Sequence, residues 1–184
     1  PGDYAYKLKA GKDSAEGTFQ VKADPNYKIS QQEYEAQFSF LQTIQGKFNE
    51  VQKGIKDIRA LRTQINDFIG RYPKDSIREI KSLADSITKQ LTAIEETLYQ
   101  TKSKSSQDVL NYPIRLNDKI SGLFDAANSG NTAPHQQVKD VYTELARQAD
   151  EQLAKLEKLK NNEVVKLNQL IREKAVPVIA LKKE

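Results

Sequence analysis

Hydrophobic residues recur with two different periods along this chain. Near the start they alternate: Tyr4, Tyr6 and Leu8 are set against Ala5, Lys7 and Lys9, and Phe19, Val21 and Ala23 follow the same rhythm. Alternation places one set of side chains on one face of an extended strand. Residues 3–10 and 18–23 are therefore read as a β-hairpin with one apolar face, joined by the polar stretch 11–17 with glycine at both ends. Two strands alone are marginal in water and need further strands or a helix against them. The hairpin is expected to be the last two strands of a sandwich whose other strands lie outside this sequence. Asp24-Pro25-Asn26 ends the second strand in a turn.

Beyond that turn the spacing changes to three and four residues. Tyr34, Phe38, Leu41, Ile44, Phe48, Val51, Ile55, Ile58, Leu61, Ile65 and Phe68 form one continuous stripe, entered through the capping box Ser30-Gln31-Gln32-Glu33. Gly46 and Gly54 fall off this stripe, and Gly70 is a plausible terminator. Tyr72-Pro73 breaks the pattern, and a second box, Ser76-Ile77-Arg78-Glu79, restarts it. Ile77, Ile80, Ala84, Ile87, Leu91, Ile94 and Leu98 then keep strict helical spacing. The Ser-rich residues 102–108 read as a flexible loop. A shorter helix opens at Tyr112-Pro113 with Leu116, Ile120, Leu123, Phe124 and Ala127 inward, and Asn128-Ser129-Gly130-Asn131 stops it. Thr132-Ala133-Pro134 looks like an N-cap with proline in the first turn. The last stripe runs Val138, Val141, Tyr142, Leu145, Ala149, Leu153, Leu156, Leu159, Leu167, Leu170, with Pro177 as its stop. Val176, Val178, Ile179 and Leu181 make an apolar tail that must dock somewhere, with the hairpin as one option.

The expected fold is mainly α: an antiparallel up-down helical bundle behind a short N-terminal β-hairpin. Residues 1–26 form the hairpin, a remnant of an upstream β-sandwich. Residues 27–184 form the bundle, with helices over about 30–69, 76–101, 113–127 and 133–174. At 1.5 Å per residue the first and last helices each span roughly 60 Å, and the second and third together match them. Three columns with the middle one broken, or a four-helix bundle, satisfy those lengths. The breaks between helices favour folding back within one chain over an intermolecular coiled coil.

Composition narrows the function classes. The 184 residues carry a net charge of +4, but the charges interleave, as in Glu144 with Arg147 and Glu151 with Lys155. A nucleic-acid surface needs one sign gathered on one face, so no nucleic-acid partner is expected. No apolar run reaches the ~20 residues of a membrane span. There is no cysteine, which removes disulfides and thiolate chemistry.

The single histidine, His135, sits at a helix start without a metal-ligand set or nucleophile beside it. The carboxylate pairs Glu33 and Glu35, Glu95 and Glu96, and Asp150 and Glu151 lie together on helix surfaces rather than across a cleft. Each glycine of the helical region stands alone, so no phosphate loop is present. Ser103, Ser105 and Ser106 do not make a nucleophile elbow. No catalytic, cofactor-binding or metal-binding residue is assigned, and no cofactor is expected. The aromatics Tyr4, Tyr6, Phe19, Tyr34, Phe38, Phe40, Phe48 and Tyr72 are expected mainly in the core, with Phe40 facing the hairpin or an exposed contact patch.

The block Pro1-Gly2-Asp3-Tyr4-Ala5-Tyr6-Lys7-Leu8, followed by Phe19-Gln20-Val21-Lys22-Ala23-Asp24-Pro25-Asn26, resembles the closing strands of an Ig-like segment. That segment belongs to large secreted BNR-repeat, sortilin-type β-propeller proteins of the glycosyl hydrolase class, in which a helical C-terminal region follows directly. The blocks from Gln37-Phe38 through Ile58-Arg59-Ala60-Leu61-Arg62-Thr63-Gln64, Tyr112-Pro113-Ile114-Arg115-Leu116 and Thr132-Ala133-Pro134-His135-Gln136 match that region in kind. Asn26 stands where the family has arginine, and Thr132-Ala133-Pro134 reorders its Ala-Pro-Thr.

The resemblance implies a non-catalytic C-terminal accessory or scaffolding module of a secreted or periplasmic protein, its propeller and any catalytic carboxylate lying upstream. The chain opens at Pro1 and holds no methionine, so an excised piece is expected. Expected partners are the upstream propeller or Ig-like domain, a protein partner or a second copy. Two rival readings are a free-standing helical protein-interaction or adhesion module and a bundle enclosing a small ligand.

Overall fold

The computed structural model of the protein describes residues 1–73, 76–130 and 132–179, with Ser106 described by its backbone alone. The expectations that named Asn131 and Leu181 lie outside those residues. Strands β1 (Gly2–Ala10) and β2 (Asp13–Val21) precede helices α1 (Gln31–Ile69), α2 (Arg78–Leu98), α3 (Leu116–Ala127), α4 (Gln136–Leu159) and α5 (Val165–Glu173). A 3-10 turn (Ser106–Leu110) lies between α2 and α3, and a π turn (Lys160–Val164) joins α4 to α5. The architecture is the expected one, mainly helical behind a two-stranded antiparallel hairpin.

Contacts between helices set their directions. Arg59 and Arg62 of α1 reach Glu95 near the end of α2, so α2 runs back along the second half of α1. Gln37, near the start of α1, donates to the carbonyls of Ala127 and Gly130 at the end of α3, which runs back along the first half. Tyr142, Asp150 and Lys160 meet Thr43, Lys47 and Asp57 in the same order, so α4 is parallel to α1. Three columns result, up, down and up, with α2 and α3 forming the broken middle one. The core runs along their common axis.

Local signals worked where only neighbours were involved. Ser30 Oγ accepts from Glu33 N, and the Glu33 carboxylate accepts from Ser30 N at 2.8 Å, closing the first capping box. At α2 the second box does not form. Ile77, 3% exposed, is drawn into the core as the N-cap residue, and Ser76 Oγ donates instead to the Pro73 carbonyl at 2.7 Å.

The helix α2 also stops earlier than expected, at Leu98. Tyr99 turns out in an extended conformation beneath the Arg59 guanidinium, 4.9 Å from the ring centre. Buried Gln100 then donates to the Pro113 carbonyl. The Ser-rich loop is itself ordered by a capping box, Ser105 with Asp108. Backbone N–H groups of Lys104 and Ser105 bond the Asp108 carboxylate and hold its pKa below the ordinary value. Helix α3 begins at Leu116 rather than 113. Helix α4 begins after His135, not Thr132, because Pro134 is buried ahead of the helix rather than within its first turn.

The π turn has a sequence origin. From Leu159 to Leu167 is eight residues, one more than two helical turns require. A π turn absorbs one additional residue. Both leucines consequently stay on the inward face, at 4% and 5% exposure. The column ends at Ala175, whose φ of 49° is left-handed. Val176 N bonds Ile171 O and Ala175 N bonds Arg172 O, the two hydrogen bonds of a Schellman stop, here built on alanine instead of glycine. The tail docks on the end of α1, not on the hairpin: Tyr72 Oη donates to the Pro177 carbonyl and Arg71 Nη1 to that of Val178 at 2.8 Å.

Candidate interaction surface

Strands β1 and β2 pair along their whole length, with Tyr4 opposite Phe19, Tyr6 opposite Gly17 and Leu8 opposite Ala15. The connection is only Gly11-Lys12, not the seven residues expected. Ser14, Ala15 and Glu16 continue the second strand although they carry no hydrophobic alternation of their own. Gly11 supplies φ of +62° at the first loop position, which a tight two-residue hairpin turn requires. Gly17 has a packing role: a Cβ there would lie 2.5 Å from the Tyr6 hydroxyl, so the Tyr6 ring crosses the strand over bare backbone.

One face of this hairpin collects Tyr4, Tyr6, Leu8, Phe19 and Val21, and Tyr4 stacks on Phe19 with ring centres 5.6 Å apart. The other is polar and carries the Lys7–Glu16 ion pair. The apolar face is uncovered: its five large side chains are 43% to 65% exposed, and among the described residues the close packing of each strand is with the other. Tyr4, Tyr6 and Phe19 were expected in a core, and this face is the main departure from expectation. Phe38 is likewise exposed, because Gln37 takes the inward position and caps the end of α3. Tyr34, Phe48 and Tyr72 are half-buried. Phe40 faces neither the hairpin nor solvent but meets Tyr142 edge to face at 5.5 Å.

From half-exposed aromatics that can each bury ~150–250 Å², the hairpin face amounts to roughly 500 Å². A patch of that size is at the upper end of what a monomer ordinarily shows and commonly marks a contact site. Both strands are also edges, offering unpaired N–H and C=O groups to an incoming strand.

The carboxylates do not converge. Glu33 caps α1, Asp150 pairs with Lys47 at 2.7 Å, and Glu151 pairs with Arg147, while Lys155 bonds Gln152. Hydrogen bonds from Arg147 and Gln148 hold the Glu144 carboxyl down to about 2. Glu95, its side chain 3% exposed, lies between Arg59 and Arg62 across the α1–α2 seam. Burial raises its pKa, but the hydrogen bonds and charge of the two arginines outweigh that and hold it below the ordinary value. This cluster was missed in the sequence because its members are 33 and 36 residues apart.

His135 is exposed at the start of α4. Among the described residues no group of three or more His, Cys, Asp or Glu side chains could hold a metal ion, and no helix is long and apolar enough to cross a membrane. The chain matches no protein-family model, no curated protein and no solved structure.

Proposed function

We propose that this chain is a non-catalytic spacer and docking module whose hairpin completes a β-sheet of an adjoining domain. The observation that carries the reading is the uncovered apolar hairpin face with its two open edges. Roughly 500 Å² per side is at the low end for a complex between free partners, which bury about 800 Å² each. It suffices for a domain tethered in the same polypeptide, where effective concentration replaces part of the affinity. Behind the hairpin, α1 alone provides a rod of roughly 60 Å, a suitable arm to hold two bodies apart.

The resemblance of the N-terminal block names the adjoining domain in this proposal. It is the Ig-like segment of a secreted or periplasmic BNR-repeat, sortilin-type β-propeller protein of the glycosyl hydrolase class, for which this chain is the C-terminal accessory part. The test is the longer polypeptide from the same reading frame. Hairpin amides should exchange with solvent far more slowly there than in this chain, and this chain should hydrolyse no glycoside. Equal exchange in both, or a reading frame that encodes no β-domain upstream, would sink the proposal.

A second reading, a free-standing helical interaction or adhesion module, draws on the break in the middle column. There Val109, Leu110, Tyr112 and Ile114 are exposed, Leu110 at 87%. Retention of a partner protein by the bundle but not by a Leu110→Ser variant would favour it.

A further inference from the structure

Where α1 ends, the three columns leave a crevice of about 570 Å³ between α1, α2 and α5. That volume falls within the ~300–1,000 Å³ of small-molecule sites. Leu61, Phe68 and Ile69 of α1, Val164 and the edges of Leu167 and Ile171 of α5 form its walls, and buried Ile80 and Ala84 of α2 close it from behind. The π turn shapes one wall. In an uninterrupted stripe the position after Leu159 would carry an inward apolar side chain, but Glu163 stands there and pairs outward with Lys166 at 3.1 Å. Val164, the last residue of the turn, lines the crevice instead.

The mouth differs in kind from the walls. Arg71 and Arg172 both border it, together with Asp67. Arg71 donates from Nη1 to the Val178 carbonyl, and Arg172 from Nε to the Asn168 carbonyl at 3.3 Å. Among the described residues neither guanidinium has a carboxylate partner, so each keeps donors free in the fork geometry that suits a carboxylate.

We propose that this crevice binds a single-chain amphiphile with a monoanionic head, the alkyl chain lying along the apolar walls and the head held by Arg71 and Arg172. A cationic head would be repelled by the two arginines, and a neutral one would leave their donors unused. Asp67 on the same rim disfavours a second negative charge on the ligand. The site is at the opposite end of α1 from the hairpin and does not depend on what the hairpin docks against.

The experiment is calorimetric titration of the full chain with sodium dodecanoate below its micelle concentration, compared with dodecan-1-ol and dodecyltrimethylammonium. Dodecanoate is expected to bind at a single site, with the other two at least about tenfold weaker. Arg71→Gln and Arg172→Gln should each weaken dodecanoate by about tenfold while the helical circular dichroism stays unchanged. Val164→Trp should fill the crevice and remove binding, whereas Leu8→Ser on the hairpin should leave it intact. Absence of dodecanoate binding overturns the site, as does full affinity in both arginine variants or loss of affinity in Leu8→Ser. Equal binding of the alcohol overturns the assignment of the head group.

Discussion

In α2, Ile80, Ala84, Ile87 and Leu91 are at most 1% exposed, whereas in the hairpin Tyr4, Tyr6, Leu8 and Phe19 are 48% to 65% exposed. In both regions the large apolar side chains fall on one face of their element. The difference is what stands opposite. Each helical column finds two others of matching length in the same chain, while the two strands share a single apolar face and, among the described residues, meet no second layer. Periodicity therefore decides which face is apolar, and burial depends on whether the chain also supplies the partner.

Matched substitutions in the two regions test this, beginning with the largest expected effect. Leu91→Ala should lower the unfolding free energy of the bundle by about 3 kcal/mol, the cost of a cavity in a closed core. The same change at Leu8 should stay within about 0.5 kcal/mol. Denaturant unfolding followed by helical circular dichroism measures both, and a Leu8→Ala cost near that of Leu91→Ala would mean the hairpin face is covered in solution.

Ion pairs provide the next contrast. Arg62→Met leaves the Glu95 carboxylate in the α1–α2 seam with only half-exposed Arg59, at an expected cost of about 2 to 3 kcal/mol. Lys7→Met breaks an exposed cross-strand pair and should cost less than about 0.5 kcal/mol. The Glu95 carboxyl is held below its unfolded value, so its contribution is complete above the ordinary carboxylate value of 4.5. That contribution is lost as the pH falls through the lower folded value. An acid titration of stability should be steeper for the natural chain than for Glu95→Gln, and identical slopes would contradict the pairing.

Two glycines lie under side chains. A Cβ at Gly54 would sit 2.6 Å from Leu153 Cδ2 of α4, and one at Gly17 would meet the Tyr6 ring. The Leu153 methyl ends a half-buried side chain that can shift, so this displacement and the gain in helix propensity offset each other and Gly54→Ala should stay within about 0.5 kcal/mol. Gly17→Ala should displace Tyr6, visible in its ring proton shifts, and leave helix unfolding unmoved.

Effects at the left-handed positions are also small. Ala175→Gly should stabilise the end of α5 by about 0.5 to 1 kcal/mol, because glycine adopts that φ without penalty. The reverse change at Gly11 should weaken the hairpin turn alone. Thermal melts of both variants decide it, and an Ala175→Gly variant no more stable than its parent would show the Schellman stop to be unstrained.

Much of the fold was legible in the chain. All seven predicted inward residues of the second stripe, from Ile77 to Leu98, are buried. The break in the middle column falls where polar residues replace the stripe. Errors came where a residue had a distant use. Gln37 displaced Phe38 from the interior to satisfy the last carbonyls of α3. Gly54, which falls off the predicted stripe, is buried beneath Leu153 and Leu156 of α4. Ser76 and Ser105 carry the same short-range cap signal, yet only Ser105 uses it, since at Ser76 burial of the neighbouring Ile77 prevailed.

The sequence by itself determined the element types and, for most of each element, its apolar face. These rest on interactions between residues a few positions apart, which spacing encodes directly. Tertiary structure alone decided that Glu95 would sit between two arginines of another helix, that the tail would close on the end of α1, and that the crevice beside the π turn would stay open. Each of those depends on which side chains three columns bring together across tens of residues, where packing volume and hydrogen-bond satisfaction decide the outcome and local spacing carries no signal.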